Sequence, residues 1–319
     1  MPVELRERVR ADLTRQQERT GFSLSRLLAL WGLSRSTFYG WAAELRTANR
    51  YNPAAILAEE ESAVVEFRGQ HREVGYRKLT WLMNDAGVAA LSESAVYSIL
   101  SKQNLLGRWI SQGSVPAEKE YQHKPSRVHE HWHTDIAYVK VRGVFYFLIM
   151  MLDGYSRYVL DWDLMTDMTS RSVQDFVLRV REKYPQGSPM LINDNGSAFI
   201  SRDFKMLVSR LDIQQVFTRR NHPETNGKAE RWNGTIRHEA LRPAAPDSFE
   251  EAIRVIGAFV EFYNRNRLHA GIRFLRPIDL FEGKGEEVLE QRRLRLADAR
   301  LNRLTKNKQR REAELLTIH

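Results

Sequence analysis

Nine consecutive apolar residues, Val144–Leu152 (VFYFLIMML), stand near the centre of this 319-residue chain. A helix that crosses a membrane needs about 20 such residues, so the run reads as a strand buried in a folded core. Its flanks narrow the fold. Trp132–Val141 (WHTDIAYVKV) has strand character, and Arg142-Gly143 joins it to the apolar run as a hairpin. Asp153-Gly154-Tyr155-Ser156 then turns the chain into a third strand, Arg157–Met165. Ser170–Tyr184 patterns as an amphipathic helix, Met190–Ile192 as a short buried strand and Ser201–Leu211 as a helix. Gln214–Thr218 is a fifth strand, and helices follow at Asn226–Leu241 and Phe249–Asn264. Three strands in a row, then helix–strand–helix–strand–helix, predict a mixed five-stranded sheet flanked by helices.

The chain before this core reads as helical. Ser23 or Ser25 caps a helix through Trp31, Gly32-Leu33-Ser34 breaks it, and a second helix begins at Arg35. Helix, short glycine turn, capping serine, helix is the helix-turn-helix pattern. It would turn Arg35, Ser36, Thr37 and Tyr39 toward a DNA groove or its phosphates, and Trp31 and Trp41 into the core of the module. A similar unit follows at Tyr76–Asp85 and Glu93–Lys102, broken at Gly87. The boundaries expected are a helix-turn-helix module over 1–50, a second helical module over 51–112, a linker over 113–125, the core over 126–283 and a basic helical tail over 284–319.

Charge points to the partner. The chain carries +9 at neutral pH, which suits a polyanion. The tail concentrates it, with ten basic and six acidic residues, as expected of a solvated helix or an arm that touches phosphates or another subunit. There is no cysteine, which excludes disulfides, thiolate zinc sites and a cysteine nucleophile. The first residues are charged and lack the apolar stretch of a secretory signal. A cytoplasmic, nucleoid-associated protein without membrane contact is the expectation.

Three acidic residues occupy positions where chemistry is built. Asp135 sits inside a strand, where a bare carboxylate is costly unless paired or bound to metal. Asp194 lies just past the end of a short apolar strand, where open α/β sheets place their sites. Glu230 lies on a helix, with thirty-five residues between it and Asp194. Taken singly, an Asp in Asp-Asn-Gly is ordinarily a turn residue and a helical Glu ordinarily faces solvent. Together they form a set of hard oxygen donors suited to Mg²⁺ or Mn²⁺, and two such ions can serve phosphodiester chemistry. Asp153, Asp161, Asp163 and Asp203 read as turn or surface carboxylates. His129, His131 and His133 alternate, so on one strand they would share a face that could bind zinc, but they lead into the first core strand. Trp232 is expected to pack inward, and Arg219 and Arg220 to reach DNA from the loop before Glu230.

The segments Trp132-His-Thr-Asp135, Ile192-Asn-Asp194-Asn-Gly-Ser-Ala-Phe199 and His222-Pro-Glu-Thr-Asn-Gly-Lys-Ala-Glu230-Arg-Trp-Asn resemble the insertion-sequence transposases of the DDE type, which share the retroviral-integrase core. Phe262–Pro277 is similar to the closing motif of that family. The resemblance covers about 125–283. It departs at Ala137 and Asn193, where many relatives carry hydroxyl residues, and at Gly234 inside the helix of Glu230. The zinc-binding module of retroviral integrases is absent along with cysteine.

The resemblance implies an RNase H-like core preceded by helix-turn-helix modules. It implies a DNA transposase in which Asp135, Asp194 and Glu230 hold two Mg²⁺ ions, with Mn²⁺ as a substitute. Strand cleavage would free a 3′-hydroxyl that then attacks another phosphodiester. Arg237 stands seven residues past Glu230, nearly two helical turns on and therefore on the same face. With Lys228 and Arg231 it would position phosphates of double-stranded DNA at the terminal inverted repeats and the target. Relatives act as dimers or larger assemblies, so a homo-oligomer on DNA is expected. The competing readings are a DNA-binding regulator derived from a transposase and a metal nuclease of the same fold that does not join strands.

Overall fold

The computed structural model describes residues 3–48, 52–106, 124–194, 196–217 and 227–317. The chain divides into two compact units, Met1–Ile56 with Arg300–His319, and Leu57–Ala299.

The first unit opens with α1 (Val3–Thr20), α2 (Leu24–Leu30) and α3 (Arg35–Ala48). The Ser23 hydroxyl accepts the Arg26 amide to cap α2, and the Ser34 hydroxyl accepts the Thr37 amide at the start of α3. Between them Gly32 takes φ +66°, a left-handed turn that glycine adopts without strain. Leu13, Leu27, Leu28 and Phe38 close a small core. Trp41 is buried as expected, but Trp31 is 39% exposed. Trp31 falls at the C-cap of α2, beyond its buried stripe, and its indole N–H donates to Gln16 instead. Asn307 donates to the carbonyls of Pro53 and Ala55 within the same unit.

The second unit begins with α4 (Ala58–Gln70), α5 (Tyr76–Asp85) and α6 (Glu93–Lys102), the last capped by Ser92. The five strands follow, β1 (His131–Val141), β2 (Val144–Asp153), β3 (Val159–Met165), β4 (Met190–Asn193) and β5 (Gln214–Phe217). Their order is β3-β2-β1-β4-β5, with β1, β2 and β3 antiparallel neighbours and β4 and β5 parallel to β1. This is the mixed five-stranded sheet that the order of strands and helices predicts. Between strands lie α7 (Ser170–Lys183), α8 (Ser197–Ile200) and α9 (Arg202–Arg210). After β5 come α10 (Gly227–Ile236), a π-helical turn (Arg237–Leu241), α11 (Arg242–Ala244), α12 (Phe249–Arg265), α13 (Pro277–Phe281) and the long α14 (Gly285–Thr317).

Strand alternation sorts the core into two layers. On one face of the sheet, Val139, Val141, Leu148 and Met150 pack against Trp232, Ile236, Ile256 and Tyr263 of α10 and α12. On the other, Trp132, Ile149 and Met151 meet Val173, Phe176, Phe199 and Phe204 of α7, α8 and α9. Asn264 binds both the amide and the carbonyl of Val159 at the start of β3. Farther along β3, Lys183 and Tyr184 donate to the Leu160 carbonyl, and Arg179 donates to that of Trp162.

The basic tail is only partly a solvated helix. Arg292, 2% exposed, binds Asp85 through two nitrogens at 2.7 and 2.6 Å and donates to the Arg273 and Phe274 carbonyls. Among the described residues no helix is long and apolar enough to cross a membrane.

Candidate active site

Asp135 lies on the same face of β1 as Ala137, Val139 and Val141, the face that α10 covers. It is set opposite Met150 across the hairpin. On its other side β1 pairs in parallel with β4, His131 with Met190 and His133 with Ile192. Continued two residues past the paired segment, the same offset brings Asp135 level with Asp194, whose charge acts on Asp135.

Local contacts fix the end of β4. The Asp194 carboxylate accepts the Gly196 amide at 3.0 Å, and a Cβ on Gly196 would meet that same oxygen at 3.0 Å. Asn193, fully buried, donates to the Asp194 carbonyl and accepts from Gln215 of β5.

Glu230 is exposed on α10. At about 100° per residue, Glu230, Asn233 and Arg237 share one side of this helix, and Lys228, Arg231, Trp232 and Thr235 share the other. Asn233 makes the link to the sheet: its amide donates to Asp135 at 2.8 Å. The sequence reading missed Asn233, although its place one turn past Glu230 was a usable signal.

Burial pushes the Asp135 carboxyl up to about 6, and the neighbouring charge of Asp194, with a smaller contribution from Glu230, adds to it. The Ile136 amide and Asn233 pull the other way. The three carboxylates therefore repel one another through a partly dry site. Hard oxygen donors in that state fit Mg²⁺ or Mn²⁺, whose charge relieves the repulsion. Among the described residues no three acidic or histidine side chains already stand together as a formed metal cage. The donor set fits an open site, completed by water and substrate oxygens.

The other sequence candidates fall in several places. Arg35, Ser36, Thr37 and Tyr39 are exposed on α3, with the Ser36 and Thr37 hydroxyls within 2.8 and 2.7 Å of the capping Ser34 hydroxyl. Arg237 is exposed at the head of the π-helical turn. Lys228 is buried and Trp232 packs inward as expected. Arg219 and Arg220 lie outside the described residues. The histidines do not share a face, because His129 precedes β1 in a left-handed conformation, φ +61°, and accepts from Trp132. Asp153 is a turn residue but wholly buried, binding the Tyr155, Ser156 and His129 amides and the Ser156 hydroxyl. Asp161 and Asp163 flank Arg179 at 3.0 Å each.

Residues 125–223 and 211–277 match the integrase core domain family in two overlapping segments. The sheet and the three carboxylates thus lie within the segments that match an integrase core. Among whole proteins, the chain is 23% identical over 245 residues to the transposase for insertion sequence element IS904 of Lactococcus lactis, covering 70% of this chain and 92% of the relative. It is 22% identical over 267 residues to the insertion element IS600 uncharacterized 31 kDa protein of Shigella sonnei, covering 78% and 94%. The HTLV-2 integrase catalytic core domain in complex with magnesium is 18% identical, with a TM-score of 0.40 over 49% of this chain and 98% of that one. Residues 125–277 thus match an integrase core domain, and the chain as a whole is similar to insertion-sequence transposases.

Proposed function

We propose that this chain cuts and joins DNA strands at the ends of an insertion sequence, with Asp135, Asp194 and Glu230 holding two divalent metal ions. The observation that supports this is the action of the Asp194 and Glu230 charges on Asp135, with Asn233 of α10 bonded to it. Bound there, Mg²⁺ or Mn²⁺ supplies Lewis-acid activation and neutralises charge on the phosphodiester. The protein's part is placement. Asp135 is held by the sheet, Asp194 by its Asx turn, and Glu230 by a helix that Asn233 ties to the sheet.

Cleavage then adds water across a P–O3′ bond and leaves a 3′-hydroxyl. In joining, that hydroxyl oxygen attacks a second phosphodiester as its own 3′-oxygen leaves. Arg237, on the Glu230 side of the helix, positions the strand through its phosphates, and Lys228 and Arg231 contact phosphates from its other side. Within residues 1–50, α3 presents Arg35, Ser36, Thr37 and Tyr39 to the inverted repeats, and 51–112 forms a second helical module. The linker over 113–125, the core over 126–283 and the basic tail over 284–319 complete the proposed organisation, which acts as a homo-oligomer on paired ends.

The test is strand transfer with purified protein, labelled element-end DNA and Mg²⁺. Glu230→Gln is expected to reduce joined product by about a hundredfold or more, as loss of a metal ligand does. Tight end binding by the wild type with no cleavage in Mg²⁺ or Mn²⁺ would overturn the enzyme reading in favour of a regulator. Cleavage without joined product would favour a nuclease.

A further inference from the structure

Asp194 is followed at once by α8 and α9, and the outward face of these helices is cationic. Phe204 and Val208 of α9, one helical turn apart, are buried in the core. On the opposite side Arg202, Lys205, Met206, Ser209 and Arg210, with Ile200 of α8, line an open groove of about 530 Å³. No acidic residue lines it. Asp203 is the one carboxylate of α9, and it lies outside the groove.

Two features set this face apart from an ordinary solvated helix. The first is its unpaired charge. Among the described residues neither Arg202 nor Arg210 has a carboxylate partner, and Lys205 stands over the Phe217 ring instead, 5.7 Å from its centroid. Elsewhere around the sheet exposed arginines are paired. Arg171 meets Asp175 and Arg179 meets Asp161 and Asp163 from the neighbouring α7, Arg142 meets Asp247, and Arg265 meets Glu261. The second feature is anchorage to the carboxylate site. The Ser201 hydroxyl accepts the Phe204 amide to cap α9 and lies 2.6 Å from the Ser170 hydroxyl of α7. Gln215 of β5 donates both to the Phe199 carbonyl of α8 and to Asn193, the residue before Asp194. The groove and the Asp194 end of β4 are therefore parts of one framework.

Arginine, lysine and serine are the side chains that hold phosphate oxygens. From Arg202 to Arg210 the helix rises about 12 Å. Over that length a duplex carries about seven phosphate charges, so cations spaced along the helix meet a partner of matching extent. The groove has no Asn or Gln to read adenine, and its cations run the length of α9 rather than gathering at the N-terminal end, where recognition helices place base-reading residues. We propose that this groove binds the sugar–phosphate backbone of double-stranded DNA without regard to sequence, and so positions the duplex that reaches Asp194. The proposal rests on DNA being the substrate, as above, and adds a surface that α10 does not supply.

Fluorescence anisotropy of the full-length protein with labelled duplexes, without divalent metal and over a range of salt, tests it. One duplex carries the element end and the other a scrambled sequence. The triple variant Arg202→Gln, Lys205→Gln, Arg210→Gln is expected to bind both about tenfold more weakly, with a slope of log affinity against log salt shallower by about 2–3. Lys205→Gln alone should make it shallower by about 1, so the result does not depend on the triple variant. Arg202→Lys with Arg210→Lys keeps the charge and should keep the slope, as should Arg171→Gln, which removes a paired cation of α7. A wild-type slope in the triple variant would overturn the proposal, and so would a loss confined to the element-end duplex. A changed sedimentation coefficient without DNA, at an unchanged slope, would assign the face to a second copy of the chain instead. Wild type that binds neither duplex overturns the proposed function and the groove together. Binding is read without chemistry, so a chain that binds both duplexes by these residues yet joins no DNA keeps the groove and loses the enzyme reading.

Discussion

The two sides of α10 are electrostatic opposites. Toward β1 and β4 the helix presents Glu230 and Asn233 to a group of carboxylates, and burial with Asp194 pushes Asp135 up to about 6. Toward α5 and the segment after α12 it presents Lys228 and Arg231 to a group of cations, and His269 is pushed down to about 3. Each side gathers like charges where solvent is partly excluded. An ordinary core would intersperse the signs, because isolated buried charge is costly.

The largest expected effect on stability comes from neutralising the acidic side. The Asp135 carboxyl titrates near 6 in the folded chain, against an ordinary 3.8. Below about pH 3 both states are protonated and no penalty exists; above about pH 6 the folded state carries the full penalty. Asp135→Asn is therefore expected to stabilise the metal-free protein by about 2 kcal/mol at pH 7.5 and by almost nothing at pH 3, measured by urea unfolding. Equal stability at pH 7.5 would break the comparison on its acidic side. Magnesium at ten times its dissociation constant should stabilise wild type by about 1.4 kcal/mol and leave this variant nearly unmoved.

On the basic side, Glu239→Gln removes the partner of a half-buried arginine. A loss of about 1–2 kcal/mol is expected in urea unfolding, and an unchanged stability would show that this pair does not hold the basic side together. The smallest effect is at Gly234, on the acidic side of the helix, where an added Cβ meets nothing within 4 Å. Gly234→Ala should gain up to about 1 kcal/mol in melting experiments. If it also lowers strand transfer, a DNA backbone approaches there; if transfer is unchanged, this glycine has no part in the site.

Much of this was legible in sequence because it depends on short-range pattern. The apolar run, its hairpin partner and the glycine turns set out the strands, and Asp135, Asp194 and Glu230 stood out against them. Asn233 was legible in principle, through helical spacing from Glu230. The cationic side of α10 was not, because Lys78, Arg157 and Arg267 come from three segments whose meeting only the tertiary fold decides. Arg267 and His269 lay within a motif that suggested kinship but no role. Arg292 misled for a related reason: in a tail rich in arginine, nothing local marks the one that is buried against Asp85. Trp31 misled because a large apolar ring at a helix end can leave the core when a polar partner holds its indole.

The side chains along β3 carry one more consequence. Being last in the order, β3 exposes a row of backbone groups that a foreign strand could pair with. Asn264 occupies both groups of Val159, Lys183 and Tyr184 take the Leu160 carbonyl, and Arg179 takes that of Trp162. Most of the length of this border is thus closed to sheet growth. Molecules crowded together can meet through their side chains along β3 without adding a strand to it there.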